Sequence, residues 1–339
     1  MHMADALIAP AVAGTMYVCS TGAAGYSIFK MKQTEEFKKI PVMGVMGAFV
    51  FAAQMINFTI PGTGSSGHLA GGMMLSAILD PYAGFITMIG VLLIQCLLFA
   101  DGGLLALGAN VWNMAFYGCF IGSFLIWLPM IKQGMNRKRI TLASILGCVL
   151  TLQMGAFSVV LETSASGITE LPFSTFVLAM QPIHLAIGLV EGVITGAVLN
   201  FVYEARPELL WTGYDREVTA GLQERKAKLS YKKTVGILAV MAAVIGGFLS
   251  LFASAFPDGL EWSISRLTGS TELENSGALY ETASHIQEAT AFLPDYAFKG
   301  SDSALGTSFS GIIGGVLVIV LCIAICQIIR HFQKEKSVS

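Results

Sequence analysis

Eight long apolar runs, near residues 5–29, 40–60, 82–100, 104–131, 140–162, 173–203, 234–256 and 309–330, constrain this chain more than any other feature. Each approaches or exceeds the roughly 20 residues that a helix needs to cross a bilayer. A ninth, shorter run fills 68–80. In hydrocarbon a segment must satisfy its own backbone hydrogen bonds, which favours helices. The expected fold class is therefore an all-α integral membrane protein. Composition agrees, because 12% of the 339 residues are charged, against roughly 25% in a soluble domain.

The few charges fix the expected topology. Lys30, Lys32, Lys38 and Lys39 follow the first run; Lys132, Arg137, Lys138 and Arg139 follow the fifth crossing. Arg206, Arg216, Arg225, Lys226, Lys228, Lys232 and Lys233 follow the seventh, and Arg330, Lys334 and Lys336 close the chain. Together these are 18 of the 20 basic residues. The positive-inside rule places all four clusters in the cytoplasm, and they agree only if the chain crosses nine times. That count predicts an N-terminus outside and a C-terminus in the cytoplasm.

The chain then divides into a seven-helix bundle (1–203), a cytoplasmic linker (204–233) and a two-helix transmembrane hairpin (234–339) with an external loop, 257–308. That loop carries Asp258, Glu261, Glu272, Glu274, Glu281, Glu288, Asp295 and Asp302 against Arg266 and Lys299. Its negative charge either raises the cation concentration near an external site or simply keeps the loop solvated. The first run lacks the basic leader and cleavage pattern of a signal peptide, which predicts a retained helix in a multi-pass protein of the cell membrane. Nothing points to nucleic acid. The six cysteines lie in apolar runs with no Cys-x-x-Cys pair, so they read as packing residues.

Candidate chemistry begins at the first two residues. A free amine followed by His2 offers three nitrogens in fused chelate rings: the Met1 α-amine, the deprotonated amide of residue 2 and the imidazole Nδ1. A fourth coplanar nitrogen would suit Ni(II) or Cu(II) better than tetrahedral zinc. His68, in the glycine-rich stretch 62–72, is the candidate, because the topology puts the loop 61–67 on the same face as Met1. Gly62, Gly64, Gly67, Gly71 and Gly72 permit positive φ and close backbone approach, and no lysine is near enough for a phosphate-binding loop. Asn57, Thr63, Ser65 and Ser66 can hydrogen-bond the nitrogens as outer-shell groups, Asn57 first among them; helix capping is the other reading of the three hydroxyls.

His184 and Glu191 sit seven residues apart on one helix face, and ionisable groups inside a membrane are functional candidates. They read as a direct metal site or as a structural His–Glu pair. Without a His-Glu-x-x-His motif, nucleophile or second carboxylate nearby, an intramembrane metal-dependent hydrolase ranks last. His285 and His331 look incidental. Ala9 and Ala13 on the first helix give a small-xxx-small face for packing in the bundle or against another membrane subunit.

Three stretches resemble the CbiM/NikM family: the start, Met1 to Leu7; Asn57 to Gly62 running on to Gly67–Gly72; and His184 to Glu191. Further on, Pro257, Asp258, Gly259, Leu260 and Glu261 spell PDGLE, the signature of the small NikN-type subunit, so the chain resembles a NikMN fusion over nearly its whole length. The resemblance implies the substrate-binding S component of an energy-coupling factor transporter for cobalt or nickel. It further implies an ion held by the Met1 amine, the amide and imidazole of His2, and the imidazole of His68. The partners it implies are a transmembrane T component and cytoplasmic ATPase subunits, within a lipid bilayer. No cofactor is expected and the chain itself is not expected to be an enzyme; a stand-alone metal channel or carrier is the alternative. One departure stands out: the family often begins Met-His-Ile with an acid and a glycine soon after, whereas Met3, Ala4, Asp5 and Ala6 stand here, which puts the packing around the chelate in question.

Overall fold

The computed structural model describes residues 1–34, 40–132, 134–213, 227–271, 273, 275–300 and 303–338, the last nine and Thr34 by main chain only. Lys38, Lys39, Arg216, Arg225, Lys226, Glu272, Glu274 and Asp302 lie outside the described residues, as do the side chains of Arg330, His331, Lys334 and Lys336. The helices are α1 (Pro10–Thr34), α2 (Ile40–Gln54), α3 (Gly72–Leu79), α4 (Pro81–Phe99), α5 (Leu107–Ile131), α6 (Arg137–Ser166), α7 (Phe173–Ala205), α8 (Tyr231–Gly247), α9 (Gly259–Thr268), α10 (Ala278–Thr290) and α11 (Ala304–Val338). Among the described residues six are long and apolar enough to cross a membrane: α4 to α7, α11, and α8 with its continuation to Phe252. The shorter α2 is apolar as well.

Local chemistry sets the boundaries. Asp80 caps α4 by accepting from the amides of Tyr82 and Ala83, with Pro81 supplying the pre-set φ of a first helical residue. Asn136 caps α6 and Ser230 caps α8 in the same way. The outer faces of α6 and α7 expose Leu142, Leu146, Leu150, Leu161, Leu185, Leu189 and Val193, whereas Phe49, Phe51, Phe85, Phe99 and Trp127 are buried within. Apolar side chains on both the inside and the outside are what a hydrocarbon solvent selects. The pair α8 and α11 packs on α2. There Gly246 meets Gly311 backbone to backbone, and a Cβ on Gly311 would overlap the Gly246 carbonyl.

Several segments differ from the sequence reading. The first helix starts at Pro10, and the residues before it hold only one 3-10 turn, Asp5–Leu7. The segment at 68–80 is helical only from Gly72; residues 68–71 lie outside the helix, with Gly71 in the left-handed region. The fold is not purely helical either, because β1 (Phe58–Ile60) and β2 (Ser65–Gly67) pair antiparallel, Thr59 opposite Ser66. Gly62 and Gly64, both at positive φ, make the turn between them. Residues 257–308 are no open loop: α9 and α10 fold back onto the bundle, where Gln287 donates to the Cys96 and Gly102 carbonyls at 3.1 and 2.9 Å.

Contacts sort the element ends. Arg137 bonds Glu204 at 3.0 Å, Lys228 pairs with the same carboxylate, and the Trp211 amide donates to the Ala77 carbonyl at 2.8 Å. These bring the basic segments after α5 and α7 to one end of the bundle. Met1, His68, Asp101 and Asp258 gather elsewhere, around the start of α1 and the end of α4.

Candidate metal centre

The amino-terminal strand is seated by its backbone. Asn110 grips Met3 from both sides, accepting from its amide at 2.7 Å and donating to its carbonyl at 3.0 Å. The Gly103 amide donates to the same carbonyl at 2.9 Å, and Asp5 accepts from the Ala106 amide at 2.9 Å. The departure from the family's opening residues is thus accommodated, with Met3 fully buried. This anchoring delivers the Met1 amine to a point 2.7 Å from His68 Nε2 and 2.5 Å from Asp258 Oδ2.

His68 is prepared to receive it. Its Nδ1 lies 3.0 Å from the Leu69 carbonyl, an acceptor that calls for a proton on Nδ1, and its Nε2 faces the amine. Its loop is held from behind by Glu191, which accepts from the amides of Ala70 at 3.0 Å and Gly71 at 2.9 Å. Gly67 has no room for a Cβ against Ile187, and Gly71 has φ +83°. Replacing Glu191 by Ala orphans two buried amides, at about 1–3 kcal/mol each. Glu191→Ala should therefore lower the melting temperature in detergent and weaken ion binding, with Glu191→Gln affected less because it keeps one acceptor. Equal melting of Glu191→Ala and wild type would contradict this.

His2 lies beside this pair and is turned elsewhere. Its ring stacks on His68 with centroids 5.1 Å apart, its Nδ1 is 3.1 Å from Asp101 Oδ1, and its Nε2 is 3.2 Å from Gln95 Oε1. Gln95 in turn donates to Gln54 at 2.9 Å, and Gln54 to the Ala70 carbonyl at 2.8 Å, a relay that links His2 to the His68 loop. Burial pushes the His2 imidazole down to about 4 despite the neighbouring Asp101 carboxylate. Burial opposes ionisation of Asp258, yet the Met1 ammonium and His68 beside it hold its carboxyl well below the usual range.

A histidine with a depressed folded pKa stabilises fully above its unfolded value of 6.5, and that stability is lost as pH falls toward 4. The shift is worth about 3 kcal/mol. The ion-free protein should therefore melt at a progressively lower temperature between pH 6.5 and 4, and His2→Gln should flatten that slope. Asp258 adds loss only below the ordinary carboxylate range, since its depressed pKa stabilises at higher pH.

Two cavities meet here. A small one of about 10 Å³ is lined by Met1, His68, His184 and Asp258. A larger one of about 740 Å³ is shared by His2, His68, Asp258, Asp101, Glu261 and Glu281. His285 also lines it, beside Glu288 at 3.8 Å. Among the described residues no group of three or more His, Cys, Asp and Glu side chains is arranged to hold a metal ion.

The other candidates are placed differently from the sequence reading. His184 and Glu191 do not form a pair of their own: His184 Nδ1 bonds the Met180 carbonyl at 2.7 Å, while Glu191 holds the His68 loop. Thr63, Ser65 and Ser66 bond backbone atoms rather than the candidate nitrogens. Thr63 donates to Ile60, Ser65 to the Ser66 carbonyl, and Ser66 to the Phe256 carbonyl. Asn57 has an unpartnered buried Oδ1 and gives its carbonyl to the Ser254 amide. Sequence reasoning missed Gln54, Gln95, Asp101 and Asn110, although polar residues in or beside apolar runs were the available signal. It read Asp258 as loop charge and as part of the PDGLE signature, not as a neighbour of the Met1 amine.

Residues 2–209 match the family described as cobalt uptake substrate-specific transmembrane region, CbiM, and residues 232–331 match the PDGLE domain. The chain belongs to the CbiM family. Its CbiM-type portion is continued in full-length relatives. A chain from Archaeoglobus fulgidus named fused nickel transport protein NikMN is 34% identical over 97% of this chain and 99% of its own length. A fused nickel transport protein LarMN from Lactiplantibacillus plantarum is 27% identical over 100% of this chain and 99% of its own. Among solved structures, a transition metal transporter superposes with a TM-score of 0.55 at 27% identity, covering 67% of this chain and all of the other. Six apolar helices in a CbiM-family chain make this a multi-pass membrane protein of a metal-transport family.

Proposed function

We propose that this chain is the ion-binding membrane subunit of an ATP-driven importer of the energy-coupling factor type for Ni²⁺ or Co²⁺. The observation that carries this reading is the approach of the Met1 amine to within 2.7 Å of His68 Nε2. Two nitrogens 67 residues apart in sequence are held side by side in one buried site, as shared ligation of an ion requires. The proposed donor set is the Met1 amine, the deprotonated amide and Nδ1 of His2, and His68 Nε2. Loading exchanges Asp101 for the ion at His2 Nδ1. Since intrinsic affinity follows the Irving–Williams order and favours copper, selectivity has to come from imposed geometry.

The nine-crossing topology, with amino terminus outside and carboxy terminus in the cytoplasm, belongs to the same proposal. It is supported by the described basic residues after α5 and α7 meeting at one end, away from the amine. A T component and ATPase subunits would supply the energy and reorient this subunit to release the ion inside. The relatives' printed names, nickel and cobalt transport proteins, support the choice of ion class.

Uptake decides the matter. Radiolabelled ⁶³Ni²⁺ or ⁵⁷Co²⁺ accumulation is to be measured in cells carrying this chain with and without an ATPase module. Accumulation that needs the module and fails when its ATPase is inactivated is the expected result. Accumulation by this chain alone would make it a channel or carrier.

A further inference from the structure

Asp258 divides its two oxygens between two tasks. Oδ1 accepts from the amides of Leu260 at 2.7 Å and Glu261 at 2.9 Å, capping α9, while Glu261 accepts from the Asp258 amide at 2.9 Å. Oδ2 takes no part in the cap. It lies 2.5 Å from the Met1 amine and 3.7 Å from His68 Nε2.

The turn that carries it is fixed against the first bundle. The Ser66 amide donates to the Pro257 carbonyl at 2.8 Å, and Trp262 Nε1 to the Thr63 carbonyl at 3.0 Å. Gly259 packs directly on α7, where a Cβ would come within 2.7 Å of Ile183 and 3.1 Å of His184 Cε1. An independent feature marks the same space. His184 is 1% exposed, its Nδ1 is committed to Met180, and its Nε2 has no partner although it borders the cavity of about 10 Å³ with Met1, His68 and Asp258. That volume suits one water or one ion.

We infer that Asp258, supplied by the second hairpin, is a ligand of the transported ion through Oδ2. This rests on the function proposed above. Charge gives it a physical reason: a divalent ion with one deprotonated amide leaves a buried site with one net positive charge, which is costly. Asp258 is the more buried of the two carboxylates beside the site, 12% exposed against 25% for Asp101, and its charge offsets that excess. The hairpin would then complete the site rather than merely adjoin it.

The test is Ni²⁺ titration and ligand-field absorption of the full chain with a native amino terminus, for wild type, D258N, D258S and H68A. Asn and Ser cap helices about as well as Asp, so the α9 cap should hold, and the lower melting temperature expected from loss of the ion pair with Met1 should be the same in both variants. Both Asp258 variants should bind at least ~10-fold more weakly, the lower end of what even outer-shell changes cost, with a shifted ligand-field band. Unchanged affinity and spectrum in D258N and D258S, alongside loss of binding in H68A, would overturn the Asp258 assignment and leave the proposed function standing. Tighter binding in D258N would make Asp258 a competitor for the amine and overturn it too. Undiminished binding in H68A would refute the underlying site itself.

Discussion

Acetylating the Met1 amine, or extending the chain by a few residues before it, should reduce Ni²⁺ or Co²⁺ binding from one tight equivalent to none detectable by calorimetry. Three effects act together. The modification removes a donor nitrogen, and an amide nitrogen in its place binds metal only after losing its own proton. It also needs space, whereas the amine faces a cavity of about 10 Å³, too small for added backbone. Finally, it leaves Asp258 Oδ2 without its cationic partner in a buried position, and breaking a buried pair from one side costs about 3–5 kcal/mol. The modified strand should therefore leave its seat between Asn110 and Gly103. Equal binding by the native and extended forms would move the site elsewhere, and His184 would become the first residue to mutate. Mass spectrometry showing a mature chain without Met1 would have the same consequence.

His68→Ala should be nearly as damaging to binding and much milder to the fold. Its Nε2 is the donor that faces the amine, whereas the loop around it is held by Glu191, Gln54 and the β1–β2 pairing, none of which uses the imidazole. Loss of one of the proposed nitrogen ligands should weaken binding by at least ~100-fold, beyond the 10–100-fold typical of outer-shell changes. Removal of a buried ring should lower the melting temperature modestly. The same titration run from pH 8 to pH 5 should show wild-type affinity falling with pH, because amine and amide must release protons to bind. Affinity that stays flat across that range would argue against a deprotonated chelate.

Much of the membrane architecture could be read from hydropathy alone, because bilayer thickness sets the length of an apolar run and leaves few structural choices. The runs at 82–100, 104–131, 140–162 and 173–203 correspond closely to α4 through α7. The reading failed where length was ambiguous. Residues 68–80 look like a short helix by composition, yet the first four stay out of the helix, and the amides of Ala70 and Gly71 reach Glu191 on α7. Likewise, residues 1–9 look like the start of α1, but Asn110 and Gly103 capture their backbone and pull them inward. Both are tertiary hydrogen bonds that no local pattern encodes.

The sequence by itself determined the class of protein and made the terminal amine, His2 and His68 candidates for a chelate, since each follows from residue chemistry or from run length. Only the tertiary structure decided that Asp258, 190 residues beyond His68, stands beside the amine, that Glu191 supports the loop and does not pair with His184, and that His2 rests on Asp101 and Gln95. Those assignments depend on which helix packs against which. Once a carboxylate is buried, its partner is whichever donor the packing brings within about 3 Å, and the sequence separation of the two carries no information about that choice.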